Sequence, residues 1–217
     1  MAKSIPKKSA PVRKRERLSQ EERRTQLLNC AVKIFAEHGL DAANHALVAE
    51  EASVSVPTVF FYFGSREKLV DAVLTDVERV NKLNFNKALE NKAPANEVLI
   101  ALSFDMIDSL NDHTYHSRIF REWSIMERAD IWPRFLKLHQ MIINTLIKII
   151  KRGQREGNLR AELNAEDEAY ILHASSYSMA HMMLTGCSQS KIESYLRTVL
   201  GTVLLPGAFE QAKQNTQ

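Results

Sequence analysis

Glycine, proline and cysteine are scarce in this chain: seven, six and two among 217 residues. The glycines stand at 39, 64, 153, 157, 186, 201 and 207, and no two of them form GxG or GxxxxGK. Neither a dinucleotide-binding turn nor a phosphate-cradling loop is therefore available, and nucleotide-fold enzymes lose their main signature. Cys30 and Cys187 are far apart and belong to no CxxC pair, so neither a disulfide framework nor a thiolate zinc site is indicated, which fits a reducing cytoplasm. No GxSxG occurs. His113 and His116 are three apart and His173 and His181 eight apart, but no neighbouring carboxylates or thiolates complete a metal shell. The expectation is no enzyme, no metal and no cofactor. Long hydrophobic runs are also missing. The uncharged stretch 169–190 is interrupted by His173, Ser175, Ser176, Ser178, His181 and Thr185, and reads as a buried helix rather than a membrane span. The basic N-terminal stretch leads into further charge and not an apolar segment, so no secretory signal is expected.

What is present is an ordinary globular composition, 45% hydrophobic and 25% charged, with an uneven charge distribution. Residues 1–17 hold seven bases against Glu16, a net +6 in a chain whose total is +3, so the remainder carries −3. An arm rich in Lys, Arg, Ser and Pro with no apolar period cannot build a core. It reads either as a solubilising tail or as an arm that orders on nucleic-acid phosphates or in a minor groove, with Arg13, Arg15 and Arg17 as its contacts.

After residue 17 almost every segment has helical period, and the fold class is all-α. Ser19 and Glu22 form an S-x-x-E capping box. Leu27, Ala31, Ile34 and Phe35 then make an i, i+4, i+7, i+8 face, and Gly39 provides the stop. Asn44 caps a short helix through Ala52. Ser53, Val54 and Ser55 form a tight connection, and Ser55 caps a second short helix, Val56 to Tyr62, with Pro57 in its first turn. Gly64 breaks it and Ser65 caps a long helix. Two short helices joined by a tight turn behind a longer one meet the requirement of a helix-turn-helix unit, whose second helix enters a major groove. In that geometry Val56, Pro57, Thr58 and Phe61 face the groove beside Asn44, His45 and Ser55, and apolar side chains there read thymine methyls.

The stretch LLNCAVKIFAEHGLDAANHALVAEEASVSVPTVFFYFGSREKLV resembles the DNA-binding domain of the TetR family of bacterial transcriptional regulators. The likeness lies in AxxxFAExG, in VAEEASVS, and in a recognition helix ending in YF before SREKL. Tyr62 and Lys68 are similar in position to that family's phosphate-binding residues. The strings RKRERLS, VSVPTVFFYFGSREKLVDAVL and EWSIMERADIWPRF, with the spacing of His173, Tyr177 and Ser178, resemble the HapR/SmcR-type group of quorum-sensing master regulators within the family. Phe61 stands where that group usually has Asn, Pro57 where it has Ala, and Ser176 where it commonly has Cys. The shared operator is therefore not carried over.

The resemblance implies an arm (1–17), a helix-turn-helix domain (18–65) and a helical ligand and dimerisation domain (66–217), working as a homodimer on palindromic double-stranded DNA. It also implies a mostly apolar small-molecule ligand, with Trp123 and Phe135 bordering the cavity. Beyond the resemblance, the density of aromatic and thioether residues adds Phe104 and Met141 to the expected pocket, and helical spacing adds His173, Ser176 and Tyr177. Asp130 and Asn164 stand before helical runs as caps. The stripe Ile192, Tyr195, Leu196, Val199, Leu200, Val203 and Leu204 is expected at the dimer interface, with Tyr195, Leu196, Val199, Leu200 and Val203 at its centre. Two alternatives stay open: a local, ligand-relieved repressor unrelated to quorum sensing, and an all-α enzyme or binding protein with a basic tail.

Overall fold

The computed structural model describes residues 18–111 and 115–209. Among these residues there are nine helices: α1 (Gln20–His38), α2 (His45–Glu51), α3 (Val56–Phe63), α4 (Arg66–Glu90), α5 (Ala95–Asn111), α6 (Tyr115–Trp123), α7 (Trp132–Glu156), α8 (Ala165–Leu184) and α9 (Gln189–Val203). Extended pairing among the described residues is limited to one bridge, Leu159 with Leu204.

The helix ends follow local side-chain chemistry. Glu22 N–H donates to Ser19 Oγ at 3.2 Å and Ser19 N–H to Glu22 Oε2 at 2.8 Å, closing the capping box of α1. Gly39, at φ +86°, ends it. Asn44 Oδ1 accepts from Ala46 and Leu47 N–H at 3.0 and 3.2 Å, and Asn164 accepts from Glu166 N–H at 2.9 Å. Two expected caps take other partners. Ser55 occupies the N-cap of α3, but its hydroxyl shares a hydrogen bond with the Thr58 hydroxyl at 2.8 Å instead of accepting from the backbone. Ile131 holds the N-cap of α7, because Asp130 is drawn into an ion pair with Arg128 at 2.6 Å.

Leu27, Ala31 and Phe35 of α1, Val48 of α2, and Val59 and Phe63 of α3 form one end of a continuous core. The first turns of α4 belong to it as well: Leu69, Val70, Val73 and Leu74 are buried. The expected boundary after residue 65 therefore falls at the start of a helix that both halves share. In the other half, α7 buries Phe135, Leu138, Ile142, Ile143, Leu146, Ile149 and Ile150 at three- and four-residue spacing, the stripe of a central helix. Gly153 lets α7 approach its neighbours. A Cβ there would stand 2.9 Å from Ala95 Cβ and closer still to the Leu159 side chain.

Candidate nucleic-acid interface and ligand cavity

The axes of α2 and α3 bend by 114° about a turn in which Val54 N–H donates to Ala49 O at 2.9 Å and Ser53 takes φ +52°. No single helix among the described residues is long and apolar enough to cross a membrane. Val59 and Phe63 turn α3 onto the core, and its opposite face is left to solvent: Val56 is 37% exposed, Phe60 49% and Phe61 72%. Pro57 and Ser55 are exposed as well, and Thr58 is half-buried. Tyr62 is half-buried and meets the Phe61 ring edge-on at 5.2 Å. So much exposed aromatic surface on an eight-residue helix marks a contact surface.

His45 departs from expectation. It is buried and lies flat on Phe60, ring centroids 3.9 Å apart at 4°, so its imidazole is not available for a direct DNA contact. Burial lowers its pKa. Phe60, which the sequence reading did not single out, takes its place on the exposed face. Asn44 is occupied with capping α2.

Local charge is poorly suited to a polyanion. Between residues 18 and 70, Lys33 is paired with Glu51 at 2.7 Å, and Arg66 donates to the carbonyls of Leu40 and Asp41, both at 2.7 Å. Arg24 lies over the Phe63 ring and Arg23 donates to Gln26. Lys68 is exposed, and its amine has no partner among the described residues. Arg13, Arg15 and Arg17 lie outside the described residues.

A cavity of about 400 Å³ opens between α4, α5, α6, α7 and α8. That is within the range of small-molecule sites, roughly 300–1,000 Å³. Its walls are largely apolar, with Phe85, Leu99, Leu102, Phe120 and Leu146 prominent. His173, Ser176 and Tyr177 line it as expected. Phe104, Trp123, Phe135 and Met141 do not. Trp123 is wholly enclosed and donates its Nε1–H to Ile131 O at 3.2 Å, while Phe135 stacks on Trp132 and meets Phe120 at a tilt, behind the cavity wall. Phe104 leans on Phe209, and Met141 packs against the Thr145 hydroxyl. Helical density of aromatics could identify the cluster, but not which members turn toward the void. Asn81 and Asn84 of α4 and Arg121 of α6 also line the cavity. The sequence reading missed them because a polar residue on an amphipathic helix carries no signal that it faces inward.

His173 Nε2 lies 3.2 Å from His139 Nδ1 and 3.5 Å from the Tyr177 hydroxyl. Burial, and then the charge of His139, lowers the His173 pKa to about 4. Burial raises that of Tyr177. At neutral pH this cluster is uncharged and offers hydrogen bonds only. Among the described residues there is no group of three or more side chains able to hold a metal.

The two regions are joined through α6. Glu122 Oε1 accepts from Leu40 N–H at 2.8 Å, tying α6 to the connection between α1 and α2, and Arg128 pairs with Asp41 at 2.7 Å in the same connection. Asp76 of α4 meets His116 of α6 at 2.8 Å. Arg134 of α7 bonds Asp71, Thr75 and Glu78 along α4.

The expected dimer stripe is used inside the chain. Leu196, Val199, Leu200 and Val203 are all buried, at most 9% exposed, and only Tyr195 is half-open. One face of α9 is thus spent on α8. The outward surfaces of the pair are different residues: Tyr170, Ile171 and Leu184 of α8, and Thr198, Gly201 and Thr202 of α9 with Leu205 just beyond it.

Comparison with known proteins agrees with this geometry. Residues 27–73 match the family described as bacterial regulatory proteins, tetR family. The chain is 32% identical over 196 residues to the HTH-type transcriptional regulator LuxR of Vibrio harveyi, covering 88% of this chain and 92% of that protein. In structure it is similar to the ketosteroid transcriptional regulator KstR2 of Mycobacterium tuberculosis, at TM-score 0.68 and 20% identity over 86% of this chain and 97% of that one. It is also similar to the transcriptional regulator FadR of Bacillus subtilis in complex with stearoyl-CoA, at TM-score 0.65 and 17% identity over 82% and 95%.

Proposed function

The chain belongs to the TetR family of DNA-binding transcriptional regulators, and from that premise we propose that it acts in the cytoplasm as a homodimer on palindromic operators, its affinity set by a largely apolar ligand. The observation that carries the DNA reading is the exposed face of α3, with Phe61 72% open beyond a helix-turn-helix turn. Val56, Pro57 and Phe61 read thymine methyls, Thr58 and Ser55 add hydroxyls, and Tyr62 and Lys68 hold phosphates. Arg13, Arg15 and Arg17 supply charge that residues 18–70 lack. The likeness to LuxR, with the HapR/SmcR-like strings, supports a role in quorum sensing.

FadR's stearoyl-CoA supports a ligand for the 400 Å³ cavity. A ligand shifts operator affinity only if it favours one spacing of the two DNA-binding units over another. Phe120 and Arg121 line the cavity, and the next residue, Glu122, holds Leu40, so a shift of α6 is passed to the base of the helix-turn-helix.

Mapping genomic sites bound in cells, followed by titration of the recovered fragments at several salt concentrations, tests the DNA reading. Inverted repeats are expected, with Tyr62→Phe and Lys68→Ala weakening all of them alike. Removing residues 1–17 is expected to lower affinity and flatten the salt dependence. An unchanged salt slope would make the arm a tail without a DNA role.

A further inference from the structure

Arg121 sits in the cavity wall without a counter-charge. Its Nη1 is enclosed and has no hydrogen-bond partner, and none of the ion pairs among the described residues includes it. Burial, reinforced by the like charge of Arg118, lowers its pKa. A guanidinium nitrogen removed from water and left unpaired is costly to a fold, and an uncharged apolar ligand would not relieve that cost. The rest of the wall limits the charge of what can enter. Asn81, Asn84, Ser176 and Tyr177 are neutral, and His173, with a pKa near 4, is neutral as well. Lys87 and Asp105, the other charged lining residues, are exposed at the cavity's edge.

We propose that Arg121 is the recognition residue for a carboxylate, and that the cavity takes an amphipathic monocarboxylate. Its apolar chain or ring lies against Phe85, Leu99, Leu102, Phe120 and Leu146, with its head group at the guanidinium. This rests on the reading of the cavity as a ligand site and adds the charge and placement of the head group. A planar carboxylate matches the guanidinium fork, and a single half-buried cation matches a single negative charge. Because Arg121 precedes Glu122, the head group engages the turn of α6 that holds Leu40.

The experiment is calorimetric titration of the full chain with decanoate and with 1-decanol, which share a chain and differ in charge. Decanoate is expected to bind at least about tenfold more tightly, as a charge-assisted pair in a desolvated site allows. Arg121→Met is expected to erase that preference while decanol still binds, and not to lower the ligand-free melting temperature, since it removes an enclosed nitrogen that has no partner. Arg121→Lys should keep part of the preference. Equal affinities in the parent protein, a preference that survives Arg121→Met, or a lowered ligand-free melting temperature in that variant would overturn the assignment. If decanol binds and Leu102→Trp blocks it, but decanoate gains nothing, the cavity stands as a ligand site and the carboxylate assignment falls. Binding of neither compound would count against the cavity itself and the assignment with it.

Discussion

At His173 the environment reverses what the residue does in water. Its pKa, near 6.5 in an unfolded chain, falls to about 4 because the ring is buried and faces His139. Between those values the unfolded chain takes up a proton that the folded one refuses, so the stability held above pH 6.5 is lost as pH falls toward 4. At ~1.4 kcal/mol per pKa unit the loss amounts to about 3 kcal/mol. Denaturant midpoints measured from pH 7.5 to 4.5 should fall in the parent protein and fall less in His173→Gln; parallel curves would show that other groups dominate. The histidines also show how far sequence reaches at this scale. Spacing could bring His173, Ser176 and Tyr177 to one side of α8, since they are neighbours on a single helix. It could not foresee His139 opposite, 34 residues earlier on α7, nor that His45 would stack on Phe60 and leave the DNA face.

Helices whose ends are fixed by adjacent residues were readable in advance, and those fixed by distant ones were not. The Ser19–Glu22 box, the Asn44 and Asn164 caps and the Gly39 stop depend on atoms within four residues. Asp130 gave up its cap because Arg128, itself bound to Asp41 on another element, competes for the carboxylate. Gly153 is a similar case: its spacing says nothing, yet α7 can approach Ala95 and Leu159 only without a Cβ there. Gly153→Ala, favourable in an isolated helix, is expected to destabilise the protein by ~1–3 kcal/mol through overpacking. Thermal or denaturant unfolding checks this, and a stabilised variant would mean that the α7–α5 contact is looser than described. The stripe on α9 was legible as buried, but its partner was not. Leu196, Leu200 and Val203 have the same period whether they face α8 or a second subunit, and here they face α8.

For the whole molecule, the proposed dimer is left the other face of α8 and α9 as its pairing surface, because the α9 stripe is already buried within one chain. Tyr170, Ile171 and Leu184 remain exposed, beside Thr198, Gly201 and Leu205. A Cβ at Gly201 would meet nothing within 4 Å in the single chain, so a side chain added there tests association without disturbing the fold. Gly201→Asp and Thr198→Asp are expected to give folded monomers by sedimentation, since a carboxylate enclosed without a partner costs several kcal/mol. An intact dimer in both would place the interface elsewhere. In the proposed dimer, a two-fold axis through this face would carry two copies of α3 to successive major grooves, and the operator would share that symmetry. DNA reading by a symmetric pair of α3 helices is tested by selection of bound duplexes from a random-sequence DNA pool, run in parallel with the parent protein and Phe61→Asn. An inverted repeat whose half-sites lie about one helical turn apart is expected, with a Phe61→Asn consensus altered at equivalent positions in both halves. A pool with no enriched sequence, or a consensus unchanged by Phe61→Asn, would contradict that reading.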